Sequence, residues 1–492
     1  MFQLLLVFVL FTGIAYYVTF RRSRKRLYEL AATFPAPFDL PLIGSTYIGY
    51  GLNSTGIVEY LMPYLHTLKT PIRAWMGPFL GLVFDQPDHL AVILNSPNCV
   101  EKSVFQSFFR FEKGLLNVEH HLWRPLRKQL GPPLSGKVVG TFVPKFNTES
   151  DKLVQYLDQF VGKGAINLLP KVAAYSMAGA LVNLFDVDIY VDDFSFMEEF
   201  ADNTEKMWII MMSRVYKPWL YPEFIYRLTS SYKEETQRMA RLRALSQEIC
   251  DARKEKQGKQ SPKDDHATSR EILIERLERI AFNTEEIDQE TLMANIDTFM
   301  FASMDTTSNT IAHTLLMMAI HPEVQERVYR EVTHVVPGGQ VTLEDLPNLV
   351  YLDQVIKESL RIIPVAALLN RTCVKELQVD RWTIPAGATI AIPVLKLNRD
   401  RAIWGERSDE FDPDNFLPER CAKRHPYAYI PFGGGGRNCI GIRYAWISMK
   451  VLLVKLVKQY RFETDLKLSE LKLEASFILL LANKHMMRIK RR

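Results

Sequence analysis

The sequence predicts a mainly α-helical protein with small β-sheets, set behind an N-terminal transmembrane anchor. Long amphipathic stretches run through about 145–160, 195–215, 230–256, 287–320 and 322–336, with apolar residues at helical spacing. Extended pieces are few and short, Ile72–Met76, Gly81–Phe84 and Thr383–Pro393, each punctuated by Pro or Gly. The first twenty residues, Met1 to Phe20, carry no charge.

As a helix, that uncharged run measures roughly 30 Å, about one hydrocarbon core. Arg21, Arg22, Arg24, Lys25 and Arg26 follow at once. A basic block in that position stays cytosolic and leaves the amino terminus across the membrane. In a cleaved signal peptide the basic residues precede the apolar run, so 1–20 reads as a retained signal anchor. Pro35, Pro37 and Pro41 then forbid a continuous helix. Residues 21–44 read as a basic, Pro-rich link, or an ordinary loop, and 45–492 as one large domain behind it. Lys256 to Arg270 is polar without aliphatic spacing and reads as an exposed loop.

The chain is 47% apolar and 24% charged, the balance of a folded protein. Its net charge of +5 is mild for 492 residues. That gives no ground for a nucleic-acid partner and is compatible with an anionic membrane surface or an acidic protein. Cys99, Cys250, Cys373, Cys421 and Cys439 are odd in number and far apart. No Cys/His cluster offers a zinc site. The pattern suits a reducing compartment, where a disulfide framework is not expected.

One cysteine stands in a special context. Pro431 to Gly441 reads PFGGGGRNCIG, followed by an apolar helical run over Ile440 to Val457. Glycines let a backbone approach a flat ligand and adopt positive φ. Cys439 at a helix amino terminus, with Arg437 nearby, is placed to be a thiolate. A thiolate is a good axial ligand for haem iron. Glycine runs also cradle phosphate, but the Lys-Ser/Thr pair of a P-loop is missing.

Phe432, Gly435, Arg437, Cys439 and Gly441 fill every fixed position of the cytochrome P450 haem signature, and the chain resembles that family over nearly its whole length. The resemblance implies the family's fold, with haem b held noncovalently between a long central helix and the Cys-loop and its helix. It implies cofactor contacts from Trp123, Arg127, Arg371, Phe432, Arg437, Cys439 and Gly441, with Cys439 on the metal. Glu358 and Arg361 match the family's Glu-x-x-Arg, at i and i+3 on one helix face. Arg420, from Phe416-Leu417-Pro418-Glu419-Arg420, is the implied third member of a structural triad. Within Ile296 to Thr310, Asp305 and Thr306 match the acid and alcohol that deliver protons to bound dioxygen. The bland alternative is a threonine bonded back to a carbonyl one turn earlier.

Several positions depart from the family pattern. Ser303 replaces a glycine beside the dioxygen groove, Asn398 a histidine, Gly436 a proline and Cys421 an aromatic residue. The surrounding residues resemble the fourth, insect-like clan. Ala302 stands where some of its members carry a haem-esterifying Glu, so noncovalent haem is expected. The pocket walls are placed at Phe108, Phe301, Ala302, Ala366 and Leu479, with Phe105, Phe109, Phe111 and the 207–212 helix beside them. They imply an apolar cavity for a lipophilic substrate: a fatty acid, a hormone or pheromone, or a xenobiotic such as an insecticide.

The implied activity inserts one oxygen atom of dioxygen into that substrate. Electrons come from NADPH through cytochrome P450 reductase, with cytochrome b5 as a further donor, at the endoplasmic reticulum membrane. Arg124, Arg127 and Lys128 are placed to steer an acidic reductase. A haem-thiolate isomerase needing no reductase would tend to lose the Asp305–Thr306 pair. A catalytically silent haem protein is the third reading, to which Ser303 gives slight support.

Overall fold

In the computed structural model, residues 2–40, 43–111, 113–259, 271–284 and 286–492 are described. Helices dominate, and four small sheets lie among them. The long helices follow the predicted stretches: Val143–Leu157, Phe194–Val215, Ser230–Lys259, Gln289–Ile320 and Pro322–Val335. Residues 256–259, expected in a loop, form the last turn of the Ser230–Lys259 helix. The rest of that expected loop, 260–270, lies outside the described residues.

The central helix, Gln289–Ile320, is buried over most of its length. Its apolar residues are spread around the helix and not gathered into one stripe, as in an interior helix. Asp288 caps its start, accepting from the Thr291 amide at 2.8 Å. It stops before Pro322, whose ring disfavours the helical conformation at His321. Leu169–Ala180 packs against it within the larger core. The small side chains Ala173, Ala174, Ala178 and Ala180 allow close approach.

The largest sheet has four strands in the order Ile72–Met76, Phe79–Val83, Thr389–Pro393, Leu368–Thr372. Its inner pair is parallel, with Gly81 opposite Thr389, and its outer pairs are antiparallel. A second core surrounds this sheet and includes Leu27, Ala31 and Phe34. The stretch read as a link is therefore docked: Tyr28 stacks on Trp75 at 4.7 Å and Phe34 on Trp382 at 4.8 Å. Apolar residues at helical spacing in Lys25–Ala31 give this short helix a buried face.

Two further expectations are corrected. Among the described residues no helix is long and apolar enough to cross a membrane, so the spanning anchor expected over 1–20 finds no support here. Phe2–Ser23 does form one helix, and Phe2, Leu4, Leu5, Phe8 and Phe11 on it are exposed. Cys99 and Cys373, expected as free thiols, form a disulfide. Tertiary pairing brings them together: Thr372 donates to Glu101 O and Val374 to Asn98 O, each at 2.8 Å.

Candidate active site

The loop before the Ile442–Gln459 helix carries Cys439. Gly433 and Gly435 take φ of 74° and 66°, the left-handed region that favours glycine. A Cβ on Gly435 would overlap the Leu94 carbonyl, so this turn lies directly on the neighbouring chain. The Cys439 amide donates to Phe432 O at 2.9 Å and closes the loop. The Cys439 side chain is accessible yet deeply surrounded by protein, as a donor at the floor of a recess is. Burial pushes its thiol up, while the Gly441 amide and the Arg127 charge act in the opposite sense.

Arg437 is not the cation that faces the sulfur. It lies over the Trp123 ring, 4.2 Å from its centroid, and donates to Val100 O at 3.0 Å and Val118 O at 3.2 Å. Arg127 takes that place by holding the loop, donating to Asn438 O and Oδ1, both at 2.9 Å. Both bonds tie Arg127 to the Cys439 loop. Trp123 serves as a platform for Arg437.

A positive nest lies beside the loop. Arg371 is buried and donates to Asn370 O at 2.7 Å. Lys102, which the sequence reading missed, is enclosed with it. Withdrawal from solvent, then Arg371 and Arg437, push the Lys102 ammonium well below its usual value. Burial brings both Arg371 and Arg437 down to about 10. The nearby acid is Glu101, 3.9 Å from Arg437 and engaged by the His120 amide. Three basic side chains face this one carboxylate, and Arg437 Nη1 is buried without a partner. A flat ligand bearing two carboxylates fits that donor set, and haem with its two propionates is such a ligand.

On the central helix, Thr306 and Asp305 face different neighbours. Thr306 Oγ1 donates back to Ala302 O at 2.7 Å. Ser303 likewise bonds Phe299 O at 2.7 Å and Met300 O at 3.0 Å, so its hydroxyl is satisfied within the helix. Asp305 is buried and accepts from the indole N–H of Trp208 at 2.6 Å. Burial raises its carboxyl to about 7, the Trp208 hydrogen bond opposes the rise, and Glu205 adds to it. The sequence placed Trp208 only on the 207–212 helix beside the pocket walls; its polar role follows from a contact 97 positions away in the chain.

The expected pocket residues divide. Phe301 joins Phe109, Phe111, Trp208 and Phe477 in one aromatic cluster, with Trp208 and Phe477 stacked at 4.6 Å. Ala302 lies one turn before Thr306, and Ala366 precedes Ala367, whose carbonyl anchors the Leu395 amide. Leu479 is buried, its amide bonded to Val365 O at 2.8 Å. Phe108 turns aside to Tyr221, 5.3 Å away, beneath the Arg214 guanidinium.

Glu358 and Arg361 form a fully buried pair at 2.7 Å. Arg361 also donates to Asn398 O at 2.9 Å, to Ser408 O and to Glu410 O. Arg420 does not join them. It stands exposed and bonds Asp412 at 3.2 Å. Glu358 is completed instead by the Asp412 amide at 2.8 Å and the Asn415 side chain at 3.2 Å. The short helix Pro418–Cys421 points Arg420 outward, and no sequence spacing reports that direction.

A family model for cytochrome P450 matches residues 37–489. The chain is 29% identical over 483 residues to a probable cytochrome P450 313a2 of Drosophila melanogaster, covering 97% of each chain. It is 30% identical over 488 residues to cytochrome P450 4c21 of Blattella germanica, covering 96% of this chain and 95% of that one. The chain belongs to the cytochrome P450 family, the haem-thiolate monooxygenases that hold haem b noncovalently through a cysteine thiolate.

Proposed function

We propose that this protein oxygenates a lipophilic substrate, with Cys439 as its haem ligand and NADPH as the electron source through cytochrome P450 reductase. The observation that carries the reading is the deep, accessible Cys439 sulfur beside a nest of Lys102, Arg371 and Arg437 in which Arg437 Nη1 is buried without a partner. Haem, when bound, supplies dioxygen binding and oxygen insertion. The chain's part is to hold and serve it. Lys102, Arg371 and Arg437 meet its carboxylates, and Arg127 fixes the loop that presents the sulfur. Phe432, Gly441 and Trp123 complete the cradle. Asp305 holds a proton against the Trp208 indole, and Thr306 orients what approaches from the pocket.

Phe301, Phe109, Phe111, Trp208 and Phe477 support an apolar substrate: a fatty acid, a hormone or pheromone, or a xenobiotic. Arg124 and Lys128 are exposed on the helix that carries Trp123 and are candidates to steer the reductase or cytochrome b5. The exposed apolar side chains of Phe2–Ser23, with Tyr50, Trp219, Phe224 and Leu228, favour attachment to the endoplasmic reticulum membrane with the catalytic part cytosolic.

The test is the carbon monoxide spectrum of the reduced holoprotein. A red-shifted band typical of thiolate coordination is expected, and Cys439→Ser should abolish it. A band unchanged in that variant overturns the ligand assignment. Binding spectra across a lipid and xenobiotic library then choose the substrate class.

A further inference from the structure

A cavity of about 80 Å³ lies between the central helix, Leu169–Ala180, Phe194–Val215 and the C-terminal segment around Ser476 to His485. It runs from surface to interior in a graded way. Asp202 and Lys484 at its mouth are exposed, Glu205 is half-buried, and Asp305 and His485 are buried. Its wall is lined by polar atoms with no protein partner: both ring nitrogens of His485, Oδ1 of Asn309 and Oγ of Ser476. The His485 ring lies tilted against His313, 4.9 Å away and one helical turn beyond Asn309, and both His313 nitrogens are likewise unpartnered.

Each such buried polar atom costs about 1–3 kcal/mol if left unpaired. Buried water satisfies groups of this kind, making about three hydrogen bonds each, and 80 Å³ has room for roughly three molecules. His485 and His313 serve as neutral donors and acceptors. Burial drives the His485 imidazolium down to about 3, and burial with His485 alongside drives His313 well below its usual value. Glu205 is the titratable group between solvent and Asp305. Burial raises its carboxyl, Asp202 and Glu474 add to the rise, and Lys484 and Lys206 oppose it.

We propose that this cavity holds an ordered water cluster, organised by His485, Asn309 and Ser476, that carries protons from Glu205 to Asp305. The inlet rests on the reading of Asp305 as the internal proton donor and adds its supply. For each proton Asp305 gives up, Glu205 passes one inward through the waters and takes one from solvent, so Glu205 is a relay and His485 a positioning residue. Asp305 lines this cavity with its own side chain, so its proton is replaced from there.

Hydrogen–deuterium exchange of the protonated Asp305 carboxyl in the holoprotein reads this supply without turnover. Its infrared carbonyl band is identified by its loss in Asp305→Asn and shifts in deuterium oxide. Exchange should slow by about tenfold in Glu205→Gln, which removes the relay, and in Ala201→Leu, which fills the cavity. His485→Phe should slow it as well, with haem content checking that each variant folds. Exchange as fast as in the unaltered protein in both Glu205→Gln and Ala201→Leu overturns the inlet. If Asp305→Asn keeps full oxygenation while exchange slows as expected, the donor reading of Asp305 fails and the water path stands.

Discussion

Asp305 has two environments to choose between when the chain folds, and the choice makes stability depend on pH. Its carboxyl titrates at about 7 in the folded protein against 3.8 when exposed. Between those values the unfolded chain has released its proton and the folded one still holds it. Stability therefore falls as pH rises through that window and levels off above about 7. In Asp305→Asn the decline should vanish, so the variant's melting temperature gains on the parent's between pH 5 and pH 8. A constant difference would mean that the carboxyl is not held as described. Trp208 acts on the same group, because its indole N–H favours the charged form. Trp208→Phe keeps the ring packing and removes that donor, costing about 1–3 kcal/mol of stability. The Asp305 carboxyl should then rise further, and the loss of oxygenation at alkaline pH should move to higher pH. A profile unmoved by the substitution would separate the tryptophan from the proton.

At the scale of elements, the contrast between Glu358 and Arg420 is decisive. Glu358 sits with Arg361 at zero exposure, and each is surrounded by further hydrogen bonds. Removing one partner leaves an uncompensated buried charge, so Glu358→Gln should lose about 3–5 kcal/mol and much of its haem on purification. Arg420 pairs with Asp412 at the surface, and Arg420→Ala should cost less than about 1 kcal/mol. Equal losses in thermal unfolding would restore Arg420 to the buried network. The positive nest belongs to this scale too, since its members come from three separate segments: Lys102, the Leu368–Thr372 strand and the Cys439 loop. Only the strand register and the loop closure bring them together.

For the whole molecule, the N-terminal helix and the body have separable roles. Phe2–Ser23 exposes Phe2, Leu4, Leu5, Phe8 and Phe11, whereas Lys25–Ala31 is bound into the sheet core. Deleting residues 1–23 should move the protein from sedimented membranes into the supernatant and leave the carbon monoxide spectrum intact. A truncated protein that stays in the pellet would assign retention to Tyr50, Trp219, Phe224 and Leu228. Truncation through residue 34 should in addition unsettle the sheet, because it removes Leu27, Ala31 and Phe34 from its core.

The sequence alone determined what is written in short spacing. The helices declared themselves by apolar period, and the Cys439 loop by its glycines. The Glu358–Arg361 pair is set by one helical turn, and the Asp305–Thr306 pair by adjacency. These are local facts, since φ, ψ and a 3.6-residue repeat fix which neighbours share a face. The tertiary structure decided everything that depends on direction and on contacts between distant segments. It turned Arg437 onto Trp123 and put Arg127 against the sulfur's loop. It sent Arg420 to the surface, added Lys102 to the nest, joined Cys99 to Cys373 and set Trp208 on Asp305. Each of those outcomes depends on where packing leaves a side chain and on what it desolvates, and no pattern along one chain carries that information.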